Sequence, residues 1–113
     1  MDRLTREASM WLADMASFTS EALALAKGRQ RKDLDTDRAF ELQLTHLILR
    51  IGEAASHVPV SAQGTIDLPW RRIIAMRNRL VHAYFEIDHD ILWRAVEDGL
   101  PVVAQALKAA KKR

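Results

Sequence analysis

Apolar residues recur in this chain at alternating steps of four and three over two long stretches, and that periodicity admits little besides helix. Leu4, Ala8, Trp11, Met15, Phe18, Ala22 and Leu25 form the first seam; Phe40, Leu44, Leu47, Ile51, Ala54 and Val58 form the second. Steps of four and three keep side chains on one side of a helix with 3.6 residues per turn, whereas a half-buried strand needs alternation by two. Punctuation is sparse. Four glycines and three prolines in 113 residues suit a few long helices better than many short strands. Apolar residues at 49% and charged residues at 28% lie near the globular average and exclude a disordered tail. The expectation is one all-α domain over residues 1–113, an antiparallel bundle of four or five helices around a single core.

Local signals mark where each helix stops and starts. Gly28 after Lys27 ends the first helix, and the polar stretch 29–33 reads as a loop. Asp35 or Thr36 is expected to cap the second helix, with Leu34 as its staple. Pro59 ends that helix, and 60–68 reads as a connecting loop. Pro69 suits the first position of a third helix, whose face carries Trp70, Ile73, Ile74, Leu80 and Val81. Asp88 caps a fourth helix, and Gly99 and Pro101 break it, leaving 101–110 as a kinked extension or a short fifth helix. A seam of this kind covers either another helix of its own chain or a second subunit.

Composition removes several classes of function. No apolar run approaches the roughly 18 residues that a membrane span requires, and residues 1–30 lack a signal-peptide pattern. The absence of cysteine removes disulfides, thiolate metal sites and cysteine catalysis, and fits a reducing, cytoplasmic setting. His46, His57, His82 and His89 show no metal-ligand spacing, so no metal and no cofactor are expected. Neither a P-loop nor a G-x-G-x-x-G is present. Asp33, Asp35 and Asp37 cluster tightly, and loop and helix-cap roles account for them.

Charge is distributed unevenly. The net charge is only +2, yet between Asp67 and Glu86 lie Arg71, Arg72, Arg77 and Arg79 with no acid, so the rest of the chain is net −2. Arginine outnumbers lysine 12 to 5, and a planar guanidinium suits bidentate phosphate contact. A solvated basic helix face would also carry such a block. Lys108, Lys111, Lys112 and Arg113 form a second basic cluster, which a solubilising terminus explains.

Within the basic block stand one histidine and one tyrosine, His82 and Tyr84. Histidine moves protons near neutral pH, and arginine stabilises charge on phosphoryl oxygens. Those two functions suffice for metal-free RNA cleavage, in which the substrate's own 2′-hydroxyl attacks the adjacent phosphate. A lone helical histidine also occurs as an ordinary packed or solvated residue. Arg77 and His82, five residues apart, point about 140° away from each other on an ideal helix, whereas Asn78 and His82 share a face. A long arginine side chain, a distorted last turn, or a second copy across a two-fold axis would each close that gap.

The string Arg77-Asn-Arg-Leu-Val-His82 resembles the R-x4–6-H signature of HEPN domains. The longer string Met76-Arg-Asn-Arg-Leu-Val-His-Ala-Tyr84 resembles their HepT-like branch, the toxin half of HepT–MntA toxin–antitoxin systems. Ile51-Gly-Glu-Ala-Ala55, Pro69-Trp70, Tyr84-Phe-Glu-Ile-Asp88, Trp93 and Leu100-Pro101 accompany it, so the resemblance spans residues 37–101. Lys32-Asp-Leu-Asp-Thr36 departs from the family pattern, with Leu34 where a phenylalanine is frequent, and the R-x4-H motif is untouched. The resemblance implies a HEPN-like symmetric homodimer that cleaves tRNA or mRNA without metal at a cleft between its subunits. It also implies roles: His82 as general acid and base, Arg77 as phosphate ligand, Asn78 as a polar contact beside them. Arg71, Arg72 and Arg79 would then bind RNA. Tyr84 matches the tyrosine that a partner antitoxin, an MntA-like minimal nucleotidyltransferase, modifies with AMP. Glu53 occupies the Glu of I-G-E-A and either shapes the cleft or is simply a hydrogen-bonded charge. The alternative of a different class is a non-catalytic helical partner, or substrate-presenting subunit, of a nucleotidyltransferase.

Overall fold

Thr5, Asp37 and Asp88 each open a helix by accepting from its unpaired N–H groups. The computed structural model describes residues 5–82 and 87–111; Leu4, Tyr84, Phe85, Lys112 and Arg113 lie outside them. Helix α1 (Arg6–Ala26) opens with the Thr5 hydroxyl accepting from the Ala8 N–H at 3.0 Å. It closes at Lys27, after which Gly28 takes a φ of +79°, a left-handed conformation costly for any residue with a Cβ.

A one-turn helix, α2 (Asp33–Thr36), follows where a loop and a cap were expected. The cap of α3 (Arg38–His57) is Asp37, and neither Asp35 nor Thr36. Asp37 is extended and accepts from the Phe40 N–H at 3.1 Å, while its second oxygen takes the Arg29 guanidinium at 2.7 Å. Asp35 is drawn away to Arg31 and His89, and Leu34 is buried in the core. The stretch expected as a loop at 60–68 contains another single turn, α4 (Val60–Gln63), started by Pro59.

Helix α5 (Trp70–His82) is pinned at its start, where the Trp70 indole N–H donates to the carbonyls of Gln63 at 3.0 Å and Ile66 at 3.1 Å. The Asp88 carboxylate caps α6 (His89–Arg94), as expected, accepting from the N–H groups of Asp90 and Ile91. Gly99 and Pro101 do not end the helix there. A π turn (Ala95–Gly99) leads directly into α7 (Leu100–Lys111), with the Leu100 N–H donating to the Ala95 carbonyl. Proline at 101 lacks an N–H and crowds the carbonyl four residues back, and a wider turn just before it relieves both faults without breaking the rod.

The described residues form an all-α bundle with no strand, 50 Å along its longest axis. No helix among them is long and apolar enough to cross a membrane. Helix α1 packs on α3 and α7, and α3 packs on α5. Trp11 meets His57 while Phe18 meets Arg50, so α1 and α3 run antiparallel. Phe40, Met15, Leu34, Leu44 and Leu92 are the largest fully buried apolar side chains.

The buried stripe of α1 is Ala8, Leu12, Met15, Thr19, Ala22 and Ala26, rotated from the expected seam. Wedged between α3 and α7, α1 buries a wide arc, and Trp11, Phe18 and Leu25 fall at its half-exposed edge. Ile48 likewise displaces Leu47 from the centre of the α3 face. Helix α5 sits at the margin: only Leu80 is buried, Ile73 and Ile74 are partly covered, and Val81 is 38% exposed.

Candidate active site

The site begins at the contact between α3 and α5. A Cβ built on Gly52 would lie 2.3 Å from the Cβ of Arg77 and 3.1 Å from the Ile73 carbonyl oxygen. Only a residue without a side chain lets the two backbones approach this closely. The result is that the stem of Arg77 lies along α3, one residue from Glu53.

There the arginine is held. Its Nη2 lies 2.7 Å from Oε1 of Glu53, and its Nη1 donates to Oδ1 of Asn78 at 2.7 Å. Its Nε is buried with no partner among the described residues. The second oxygen of Glu53, Oε2, lies 3.1 Å from Nε2 of His57, one helical turn further along α3. His57 in turn stacks on Trp11 of α1, with ring centroids 4.4 Å apart and planes inclined by 17°. The hydrogen bond with His57, followed by the pairing with Arg77, lowers the carboxyl of Glu53 below its ordinary range despite partial desolvation. An ionised Glu53 thus faces a permanent cation at a seam only half open to water.

Arg77, Asn78 and Glu53 are therefore brought together. His82 joins none of these contacts: it is exposed at the end of the described part of α5, and its side chain makes no hydrogen bond among the described residues. Residues 70–82 are α-helical, and an ideal helix sets Arg77 and His82 about 140° apart. Arg71, Arg72 and Arg79 are exposed and form no ion pair among the described residues, unlike Arg29, Arg31 and Arg38. Tyr84 lies outside the described residues. Two grooves of about 490 and 540 Å³ lie elsewhere, one against α7 and one between α1 and α3, lined by neither Arg77 nor His82.

Two members of this cluster are not site candidates in the sequence, where Trp11 counts as part of the first apolar seam and His57 as one of four histidines without metal-ligand spacing. The four-residue step from Glu53 to His57 is a usable signal, since such pairs face each other on a helix. Trp11 carries no such signal, because its partner lies on another helix. The acidic cluster is structural, as expected: Asp33 accepts from the Gln30 N–H, Asp37 caps α3, and Asp35 binds Arg31 and His89. Among the described residues no group of three or more His, Cys, Asp or Glu could hold a metal.

No solved structure matches the chain. A "Probable ribonuclease HepT" of Thermococcus cleftensis is 27% identical over 104 residues, covering 88% of this chain and 94% of that protein. A "Putative RNase" of Methanocaldococcus jannaschii is 21% identical over 104 residues, covering 91% and 95%. The family model described as "Ribonuclease HepT-like" matches residues 12–110, nearly the whole bundle including α5 and its arginines. The chain belongs to the HepT-like ribonuclease family.

Proposed function

We propose that this protein is a metal-independent endoribonuclease that cleaves tRNA or mRNA at a cleft formed by two copies of α5. The observation that carries the reading is the guanidinium of Arg77, fixed by Glu53 and Asn78 on a helix edge where three further arginines form no ion pair among the described residues. A phosphate arriving there meets an oriented donor whose one ion-pair partner among the described residues, Glu53, is already engaged by His57 and Arg77.

In-line attack of the 2′-hydroxyl on the adjacent phosphorus breaks the bond to the 5′-oxygen of the next nucleotide. The attacking oxygen loses a proton and the leaving oxygen gains one, giving a 2′,3′-cyclic phosphate and a free 5′-hydroxyl. His82 accepts the first proton and donates the second, and Arg77 stabilises the charge that builds on the phosphoryl oxygens. A two-fold axis supplies one His82 from each copy, so acceptor and donor need not be the same ring, and a regular α5 no longer keeps Arg77 and His82 apart. The same family reading makes the protein the toxin of a pair, silenced when an MntA-like nucleotidyltransferase transfers AMP to Tyr84. That phosphate would compete with RNA for Arg77.

Purified protein should cleave RNA in excess EDTA, leaving cyclic phosphate ends. Arg77→Ala and His82→Ala should each abolish cleavage while the helical circular dichroism is retained. Cleavage that stops in EDTA and returns with Mg²⁺ refutes the metal-free mechanism. Absence of cleavage by a protein that still binds its nucleotidyltransferase favours the non-catalytic partner instead.

A further inference from the structure

We infer that His57, stacked on Trp11, acts through Glu53 as a positioning residue for Arg77, so that three helices together aim the phosphate-binding guanidinium. The inference rests on the ribonuclease reading above and adds residues that the R-x4-H motif does not contain.

An arginine at the edge of a helix has a long stem and many rotamers, and a phosphate contact that depends on geometry needs most of them removed. The first restraint is steric: Gly52 lets Arg77 lie on α3, with its Cβ and Cγ in contact there and its Nε buried. The second is the Glu53 carboxylate at 2.7 Å from Nη2. A glutamate on a half-open helix face is itself mobile, and one contact would leave its carboxylate free to rotate. His57 removes that freedom by engaging the other oxygen, Oε2, at 3.1 Å. Neutral imidazole and imidazolium can both donate from Nε2, so this contact survives either protonation state. Trp11 then fixes the imidazole plane from α1, since two rings 4.4 Å apart and nearly parallel leave the histidine little room to turn.

The guanidinium is held but not consumed. It carries five N–H donors, of which Glu53 engages Nη2 and Asn78 engages Nη1, and each of those nitrogens has a second hydrogen for a phosphoryl oxygen. An ion pair this exposed contributes little to stability, so a purely structural role would leave the rate untouched or change it only in step with stability. A positioning role changes kcat while the fold holds.

The test is single-turnover cleavage of a short RNA by wild type, Arg77→Ala, His57→Ala and His57→Gln, with melting temperatures measured alongside. His57→Ala is expected to lower kcat on the order of tenfold to a hundredfold with KM little changed, as for a misplaced binding group. Glutamine can donate to Oε2 but cannot stack as imidazole does, so His57→Gln should recover part of the rate, leaving the share that the Trp11 stack supplies. Wild-type rates in His57→Ala, in an enzyme that Arg77→Ala disables, overturn the inference and leave the ribonuclease reading intact. Equal loss in His57→Gln and His57→Ala also overturns it, because packing rather than the donated hydrogen bond would then explain the effect. Failure of the wild type to cleave RNA removes both readings.

Discussion

Substituting Gly52 with alanine tests whether the α3–α5 contact sets the site. The new Cβ would stand 2.3 Å from Arg77 Cβ, 3.0 Å from Arg77 Cγ and 3.1 Å from the Ile73 carbonyl oxygen. Carbon atoms in contact sit about 3.5–4.0 Å apart, so the first overlap exceeds 1 Å. A Cβ and a carbonyl move only with their backbone, and no rotamer change avoids them. Helix α5 must therefore shift outward. Overpacking of this kind costs about 1–3 kcal/mol, against a gain of about 1 kcal/mol from replacing a mid-helix glycine by alanine. The net expectation is a loss of about 1 kcal/mol, which lowers the melting temperature by roughly 4 °C in a domain of this size. Gly99→Ala is the control: its Cβ would meet only Ala95 Cβ, at 4.0 Å, so the propensity gain should appear undiminished. RNA cleavage at a temperature where both variants are folded should fall in Gly52→Ala and hold in Gly99→Ala, because only the former moves Arg77 relative to Glu53. Thermal unfolding followed by circular dichroism decides the first half. A Gly52→Ala protein that melts as high as Gly99→Ala, and cleaves RNA as fast, refutes the reasoning.

His89 lies between Glu41 and Asp35, and these hydrogen bonds raise its pKa above the ordinary value of 6.5. Its contribution to stability should thus be complete below that value and be lost as pH rises through the raised one. His89→Asn should flatten the alkaline decline of melting temperature, and superimposable curves for variant and wild type would show that the pairing contributes nothing. Light scattering should report twice the chain mass of 12.8 kDa, and a monomer at micromolar concentration refutes the shared cleft. Co-expression with a nucleotidyltransferase of the MntA kind should add AMP mass to this chain, and Tyr84→Phe should prevent it; unchanged addition in that variant places the modification elsewhere.

Much of the architecture was legible because helices are local objects. The seams predicted α1 and α3, Gly28 marked a stop, and Asp88 marked a start, each through contacts within a few residues. Where two local answers competed, tertiary contacts chose. Asp35 and Asp37 are equally good caps in isolation, but His89 and Arg31 recruit the first, while the extended Asp37 caps with one oxygen and takes Arg29 with the other. The face of α1 turned toward Leu12 and Thr19 because α3 and α7 both press on it, and sequence periodicity cannot say how many neighbours a helix has.

The site divides in the same way. Arg77, Asn78 and His82 stand out in sequence because their chemistry and spacing belong to one short segment. That Gly52 admits Arg77, that Glu53 binds it, and that His57 and Trp11 stand behind Glu53 depends on three helices meeting across 66 residues of chain. Residue type and periodicity determine which groups a helix offers, since backbone geometry repeats every 3.6 residues whatever the surroundings. Which groups meet is decided only when apolar faces are buried against one another, because that burial sets the separation and rotation of the helices that carry them.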